Sequence, residues 1–375
     1  MFSSKMTRFA ILLARSLFAF CVMMTGSPVF AEDWPTFHGN AARTGTSTSA
    51  AAPAQISGQI VWKSYVSSAI QSTPAVGANG LIYFGANDGT LYAFRAPDGT
   101  RAWSFDTDNW VASSPAISAG LVIFGSYSGK VFALDMQSGA PKWKFTTHNM
   151  VAASPAAADG RVYFGGVDGN VYCADIKNGW PKWSYKAGRE VYGSPVVSDG
   201  VVYAGNNDGK MMAIDTATGK LKWRAIVGGP VRTAPAVSGG FVYFGSWDGK
   251  LYCADIKNQA VIWKYDSGGS IDSSPLAAGG LVYFGNIKGV MTALDAATGR
   301  VVWTKETGES IVSSPSTNGS QIFFGNNVGD LYALNAKTGA EIWKAAMGGS
   351  IMSSPAVTSD ALYITNTNGE IWRMR

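Results

Sequence analysis

Three residues of unlike chemistry, Tyr192, Arg232 and Asp272, stand 40 positions apart, each three before a proline. A phenol, a guanidinium and a carboxylate at equivalent places of a repeat can do two things. Arg232 and Asp272 can form an ion pair that satisfies itself. Alternatively the three can build a site for a small ligand or the tip of a peptide, with Arg232 as the anion contact and Trp110 or Tyr192 as the apolar wall. The segments leading to the neighbouring prolines add His148, Asn149, Arg189 and Glu190 to the set. The equivalent positions of later repeats read Gly268-Gly269-Ser270, Gly308-Glu309-Ser310 and Gly348-Gly349-Ser350, so one side of the set is polar and aromatic and the other nearly bare.

Catalysis needs more than this. Glu190 and Asp272 are two repeats apart, and no motif gathers them into the oxygen cage a calcium ion takes. The chain has two histidines, and no Ser/His/Asp or Cys/His arrangement can be assembled from them. Cys173 and Cys253 occupy one place in two repeats where other copies carry alanine, so they read as small buried residues and not as a disulfide. Nothing in the sequence obliges the protein to be an enzyme.

A repeat positions these residues. From residue 81 the chain restarts every 40 positions, as in Leu81-Ile82-Tyr83-Phe84-Gly85 and Leu121-Val122-Ile123-Phe124-Gly125, with eight starts before Arg375. Each unit holds an apolar run, a glycine turn such as Ser246-Trp247-Asp248-Gly249, a second apolar run, an Asp-to-Gly turn, a tryptophan strand and a Ser-Ser-Pro-Ala segment. Periods near 40 with several short strands per unit mark propeller blades. Proline tolerates a strand only at an edge, which puts the Pro segments on the innermost strands, facing a central channel. The residue three before each proline then lines it: Gln71, Ala112, Ala152, Tyr192, Arg232, Asp272, Val312 and Met352.

The tryptophans at 62, 103, 143, 183, 223, 263, 303 and 343 read as mortar between blades. Covering one such ring is worth at most roughly 4 to 6 kcal/mol against an extended chain. The last unit stops at Arg375 without its tryptophan strand, and Gln59-Ile60-Val61-Trp62-Lys63 supplies one. The expected fold is therefore all-β, an eight-bladed β-propeller of four-stranded antiparallel blades, closed by an N-terminal strand that completes the last blade.

The ends and the charge set the setting. Lys5, Arg8 and Arg15 lead a short apolar stretch from Ser16 to Met24, and Val29-Phe30-Ala31 offers a cleavage site, so residues 1–31 read as a signal peptide and 32–55 as leader and linker before a propeller at 56–375. Trp34 and Phe37 read as apolar pegs holding the leader on the ring. Cleavage after Ala31 takes the net charge from +5 to +2, too balanced for nucleic acid. No later segment is long and apolar enough to span a bilayer. The mature chain is expected in the periplasm or secreted, as a monomer.

The Ala-x-Asp-x-x-x-Gly-x-x-x-Trp pattern, seen in Ala133 to Trp143, Ala213 to Trp223 and Ala293 to Trp303, resembles the docking motif of pyrroloquinoline-quinone (PQQ) type propellers. Arg95 and Asn335 replace its aspartate and Gln259 its glycine. The resemblance implies one of two functional classes: large quinoprotein dehydrogenases that bind PQQ with calcium, or smaller cofactor-free scaffolds similar to the outer-membrane assembly factor BamB. The adjacent cysteines common in the alcohol-oxidising class are absent, and so is room for its chamber-roofing insertions. The lipoprotein cysteine of the assembly factors is also absent from the cleavage site, Phe20 preceding Cys21. The expectation is an interaction scaffold for envelope proteins without a cofactor, PQQ-dependent oxidation and glycan or small-ligand binding being the alternatives. Apolar tips at Tyr127, Val167, Trp247 and Ile287 suggest the partner face.

Overall fold

The computed structural model describes residues 35–37, 39–40 and 55–375. The signal segment, Trp34 and His38 lie outside the described residues. Blade 1 pairs Ala75–Val76, Leu81–Gly85, Thr90–Arg95 and Arg101–Asp106 in that order, all antiparallel. Its two middle strands are buried almost throughout, whereas Arg101–Asp106 alternates exposed and half-buried positions. A sheet pressed between two neighbours requires this pattern, since its inner strands have no solvent face. Among the described residues there are eight such sheets and no helix. We number them blades 1 to 8; their innermost strands begin at Ala75, Ala116, Ala156, Val196, Ala236, Leu276, Ser316 and Ala356.

Closure follows the expected route. Ile60–Tyr65 pairs antiparallel with Glu370–Met374, Tyr65 opposite Glu370 and Ile60 opposite Met374. Gln59 and Arg375 exchange backbone hydrogen bonds of 2.9 and 2.8 Å beyond that ladder, so the two ends of the ring are zipped together.

The tryptophan row joins each blade to the next. The indole N–H groups of Trp62, Trp143, Trp183, Trp263 and Trp303 donate to the carbonyls of Ala96, Ile176, Thr216, Ala296 and Ala336, one blade on. Trp343 reaches the Ile56 carbonyl at 2.8 Å and carries the same contact across the closure. Wherever the turn residue of the following blade is glycine, the ring lies on it: a Cβ on Gly339, whose φ is +70°, would sit 2.6 Å from Trp303. Trp103 and Trp223 hold equivalent places, and the Trp103 ring lies against Gly139. Glycine is thus needed twice there, for its backbone and for the space.

A second set of bonds runs around the axis. The amide of Thr73 donates to the Ser114 hydroxyl, Ser114 to Ser154, Ser154 to Ser194, Ala234 to Ser274, Ser274 to Ser314, Ser314 to Ser354, and Ser354 back to Thr73, at 2.8 to 3.2 Å. The belt lacks one hydroxyl, at Ala234. The preceding serine works within its own blade: Ser72 accepts from the Gly85 amide and donates to the Gly85 carbonyl.

Cys173 and Cys253 are buried and free, and burial pushes their thiols up to about 11 and about 12, so neither is a thiolate at neutral pH. The Pro35 carbonyl accepts from the Ile117 amide on the innermost strand of blade 2, and Phe37 packs against the apolar cluster of blades 4 and 5. The Phe37 peg is therefore seated on the ring.

Candidate functional site

At one end of the ring, each blade's hairpin tip is stitched to the segment that leads into its innermost strand. The tip amides of Tyr127, Val167, Asn207, Trp247 and Ile287 donate to the carbonyls of Trp110, Met150, Glu190, Pro230 and Ser270, at 2.9 to 3.1 Å. The channel-lining residues and the apolar tips, separate sets in the sequence, are consequently one surface. The period explains why. A tip and its lead-in are 17 residues apart along the chain but share a bond wherever the repeat is intact.

On this surface a continuous arc runs from blade 2 to blade 6. Trp110 and Tyr127 have ring centroids 5.8 Å apart. Burial first, then the neighbouring Tyr192 phenol, raise the Tyr127 hydroxyl above its ordinary pKa. The Arg232 guanidinium lies 4.7 Å from the Tyr192 ring and 3.8 Å from that of Trp247. Its Nε donates to Asn207 at 2.8 Å, and the Asn207 amide donates to Glu190 at 3.2 Å. The Trp247 indole donates to Asp272.

The ion pair expected between Arg232 and Asp272 does not form. Trp247 stands between them, covering the face of the cation and occupying the carboxylate. Glu190 is held below its usual pKa by its own backbone amide, then by Asn207, with Arg189 and Arg232 adding to the effect. Arg189 itself is exposed, and among the described residues no hydrogen bond or ion pair reaches its side chain. His148 and Asn149 line a neighbouring depression of about 250 Å³ with Tyr127, Ser128 and Met150. There the His148 backbone amide donates to Asp168, and the Asn149 side chain accepts from the Met150 amide.

One tip lacks the exposure expected of it. Val167 is buried, although its amide bonds the lead-in as those of the other tips do. Trp247 is a tip, yet its ring belongs to the Arg232 cluster. Trp110, Trp247 and Ile287 remain 46, 37 and 42 % exposed. Val328 and Met352, at 53 and 36 %, extend the apolar surface to blades 7 and 8. Asn207 was not singled out in the sequence. The sequence carried no signal for it, since Asn87 and Asn327 stand at the same place of other repeats.

Among the described residues no group of three or more His, Cys, Asp or Glu side chains lies close enough to hold a metal ion. A depression of about 620 Å³ lies away from this arc, on the rim beside the closing strand, between Lys63, Tyr65, Tyr92 and Arg101. It opens because Ser64 stands where Phe105 and Phe145 fill the equivalent seams against Phe132 and Tyr172.

The geometry can be set beside known proteins. The family model described as outer membrane protein assembly factor BamB matches residues 128–233 and 225–372. No curated protein matches the chain. Among solved structures, BamB from Moraxella catarrhalis superposes with a TM-score of 0.74 at 21 % identity, over 84 % of this chain and 99 % of its own. Quinohemoprotein alcohol dehydrogenase from Comamonas testosteroni gives 0.78 at 16 %, over 91 % and 80 %. The computationally designed Ika8 protein gives 0.75 at 17 %, over 86 % and 99 %. At such identities these structures share the fold, and a fold hosts many functions.

Proposed function

As the chain belongs to the family of the outer membrane protein assembly factor BamB, we propose that it is an exported, non-catalytic scaffold that docks envelope polypeptides on its channel mouth. One observation carries the reading. Large apolar side chains, Trp110, Ile287 and Val328, stay exposed and gather on one face around a polar centre that Trp247 helps to build. An apolar patch with a structured polar core is what a protein interface needs. Export with cleavage after Ala31, a periplasmic or secreted location and a monomeric state belong to the same proposal.

The oxidoreductase alternative requires oxygen ligands converging on calcium beside the quinone. The carboxylates nearest the axis are engaged singly, Glu190 by Asn207 and Asp272 by Trp247, so these residues do not fit that group. Affinity capture from periplasmic extract tests the scaffold reading. We expect the folded protein to retain envelope proteins and the Trp110→Asp/Ile287→Asp variant to lose them. Equal recovery by both would refute it, as would saturable PQQ binding with calcium-dependent alcohol oxidation.

A further inference from the structure

We infer that the outer corners of blades 5 to 8, at the end of the ring opposite the mouth, rest on a bilayer containing anionic phospholipid. This surface is independent of whatever the mouth binds. It originates in a backbone irregularity. In every blade the tryptophan strand carries one residue more than its neighbour, just before the tryptophan. Thus Leu294 faces Val301 and Ala293 faces Trp303, which leaves Val302 without a partner. Such a bulge bends the strand and re-aims the extra side chain. The same irregularity falls at Lys142, Lys182 and Lys222, and at Ile262, Ile342 and Val61.

Two solutions fill this outward position. On blades 2 to 4 it is lysine, and each ammonium reaches the aspartate of the preceding turn, Asp135, Asp175 or Asp215, at 3.2 to 3.7 Å. On blades 5 to 8 it is Ile262, Val302, Ile342 and Val61, which stay 41 to 46 % exposed. Blades 5 and 6 keep their turn aspartates, Asp255 and Asp295, so the lysine pairing was open to them. Four consecutive blades instead hold an aliphatic side chain in water, and Ile60, Val261 and Val301 beside them are exposed as well. Equivalent points of a ring lie in one plane across its axis, so a flat surface meets all four corners together.

The charges around the corners identify that surface. Lys257, Arg300 and Lys337 stand in the turns leading into the tryptophan strands of blades 5, 6 and 7, exposed and in no ion pair among the described residues. The carboxylates nearby are engaged. Asp255 accepts from the Asn258 side chain, Asp295 from the Thr298 hydroxyl, and Glu341 pairs with Lys305 at 2.9 Å. Aliphatic side chains with unpaired cations among them match the boundary between headgroups and acyl chains of an anionic bilayer. A protein interface is anchored by aromatic side chains in one contiguous core, whereas these corners are separate and carry only valine and isoleucine. Each such side chain enters a bilayer on its own. The mouth, at the other end of the ring, is then turned away from the lipid.

Sedimentation of the chain from residue 32 with extruded vesicles tests this, with phosphatidylglycerol-rich vesicles beside vesicles of phosphatidylcholine alone. We expect partition onto the anionic vesicles to be roughly tenfold stronger or more. The variant Ile262→Thr/Val302→Thr/Ile342→Thr keeps β-branched side chains in the strands and should lose roughly tenfold of that partition. Lys257→Gln/Arg300→Gln/Lys337→Gln should bind both kinds of vesicle alike. Thermal melting establishes that each variant is folded. A nitrobenzoxadiazole label reports which end touches lipid, the two cysteines of the ring being buried. Its emission should move to the blue on anionic vesicles when attached at Val302→Cys and stay put at Val328→Cys on the mouth. A wild-type chain that stays in solution overturns the proposal, as does undiminished partition of the threonine variant, or a blue shift at 328 without one at 302. If vesicles are left unbound while the threonine variant alone loses captured proteins from periplasmic extract, the corners serve a protein partner and the lipid surface is refuted. None of these outcomes bears on the mouth, whose own capture test changes Trp110 and Ile287.

Discussion

The carboxylate of Asp135 accepts from the amides of Gln137 and Ser138 and from the Ser138 hydroxyl, and so closes the turn that the following tryptophan strand starts from. Those bonds, the Ser138 amide first, pull its pKa down from 3.8 to about 2. A carboxylate whose folded pKa is depressed adds stability above its unfolded pKa and loses it as pH falls through the folded value. The urea midpoint of Asp135→Ala should therefore lie below that of the wild type above pH 4, with the gap closing towards about pH 2. Asp135→Asn should keep most of the turn, because Asn335 makes the same amide bonds with a neutral side chain. A gap that persists unchanged at low pH would show that the charge has no part in the turn. At this scale the site was partly legible. Tyr192, Arg232 and Asp272 stood out because a phenol, a guanidinium and a carboxylate fall at one place of three consecutive repeats. What lay between them did not, since Trp247 and Asn207 reach the cluster from hairpin tips and the sequence shows tips and lead-ins as separate runs.

Strands, turns and their order could be read from the repeat because each blade buries its runs against copies of itself. The serine belt could not, for a hydroxyl whose donor lies 40 residues away looks like any other turn serine. The docking turns give a test with two signs. Gln259 occupies the glycine place with φ of +57°, a conformation costing an ordinary residue roughly 1 to 2 kcal/mol. Glycine recovers that but is more flexible when unfolded, by roughly 0.5 to 1 kcal/mol. Gln259→Gly should stabilise the protein by up to about 1 kcal/mol on this balance. At Gly339 the same φ class is joined by a ring 2.6 Å from any Cβ, so Gly339→Ala should cost about 1 to 3 kcal/mol or more. Denaturant unfolding measures both, and a neutral Gly339→Ala would mean that Trp303 shifts freely and the row is not mortar.

As a whole the molecule is a ring whose seams follow one plan while one end varies from blade to blade. Closure by the early strand was readable because the last repeat lacks what the start of the chain supplies. The identity of the working face was not, since exposure depends on how a tip folds: Val167 is buried and Trp247 is turned onto Arg232, although both occupy the place that leaves Ile287 exposed. The central claim, that the channel mouth and not the opposite end engages envelope polypeptides, is tested most directly by site-specific photo-crosslinking in living cells. Benzoylphenylalanine would replace Ile287 and Val328 at the mouth, and Trp180 in a turn at the opposite end. Trp180 is the most exposed of the three, at 70 % against 42 and 53 %, so unspecific encounters favour the control. The account predicts discrete adducts with envelope proteins from positions 287 and 328 and none of comparable yield from 180. Adducts that are equal at all three positions, or confined to 180, would contradict it.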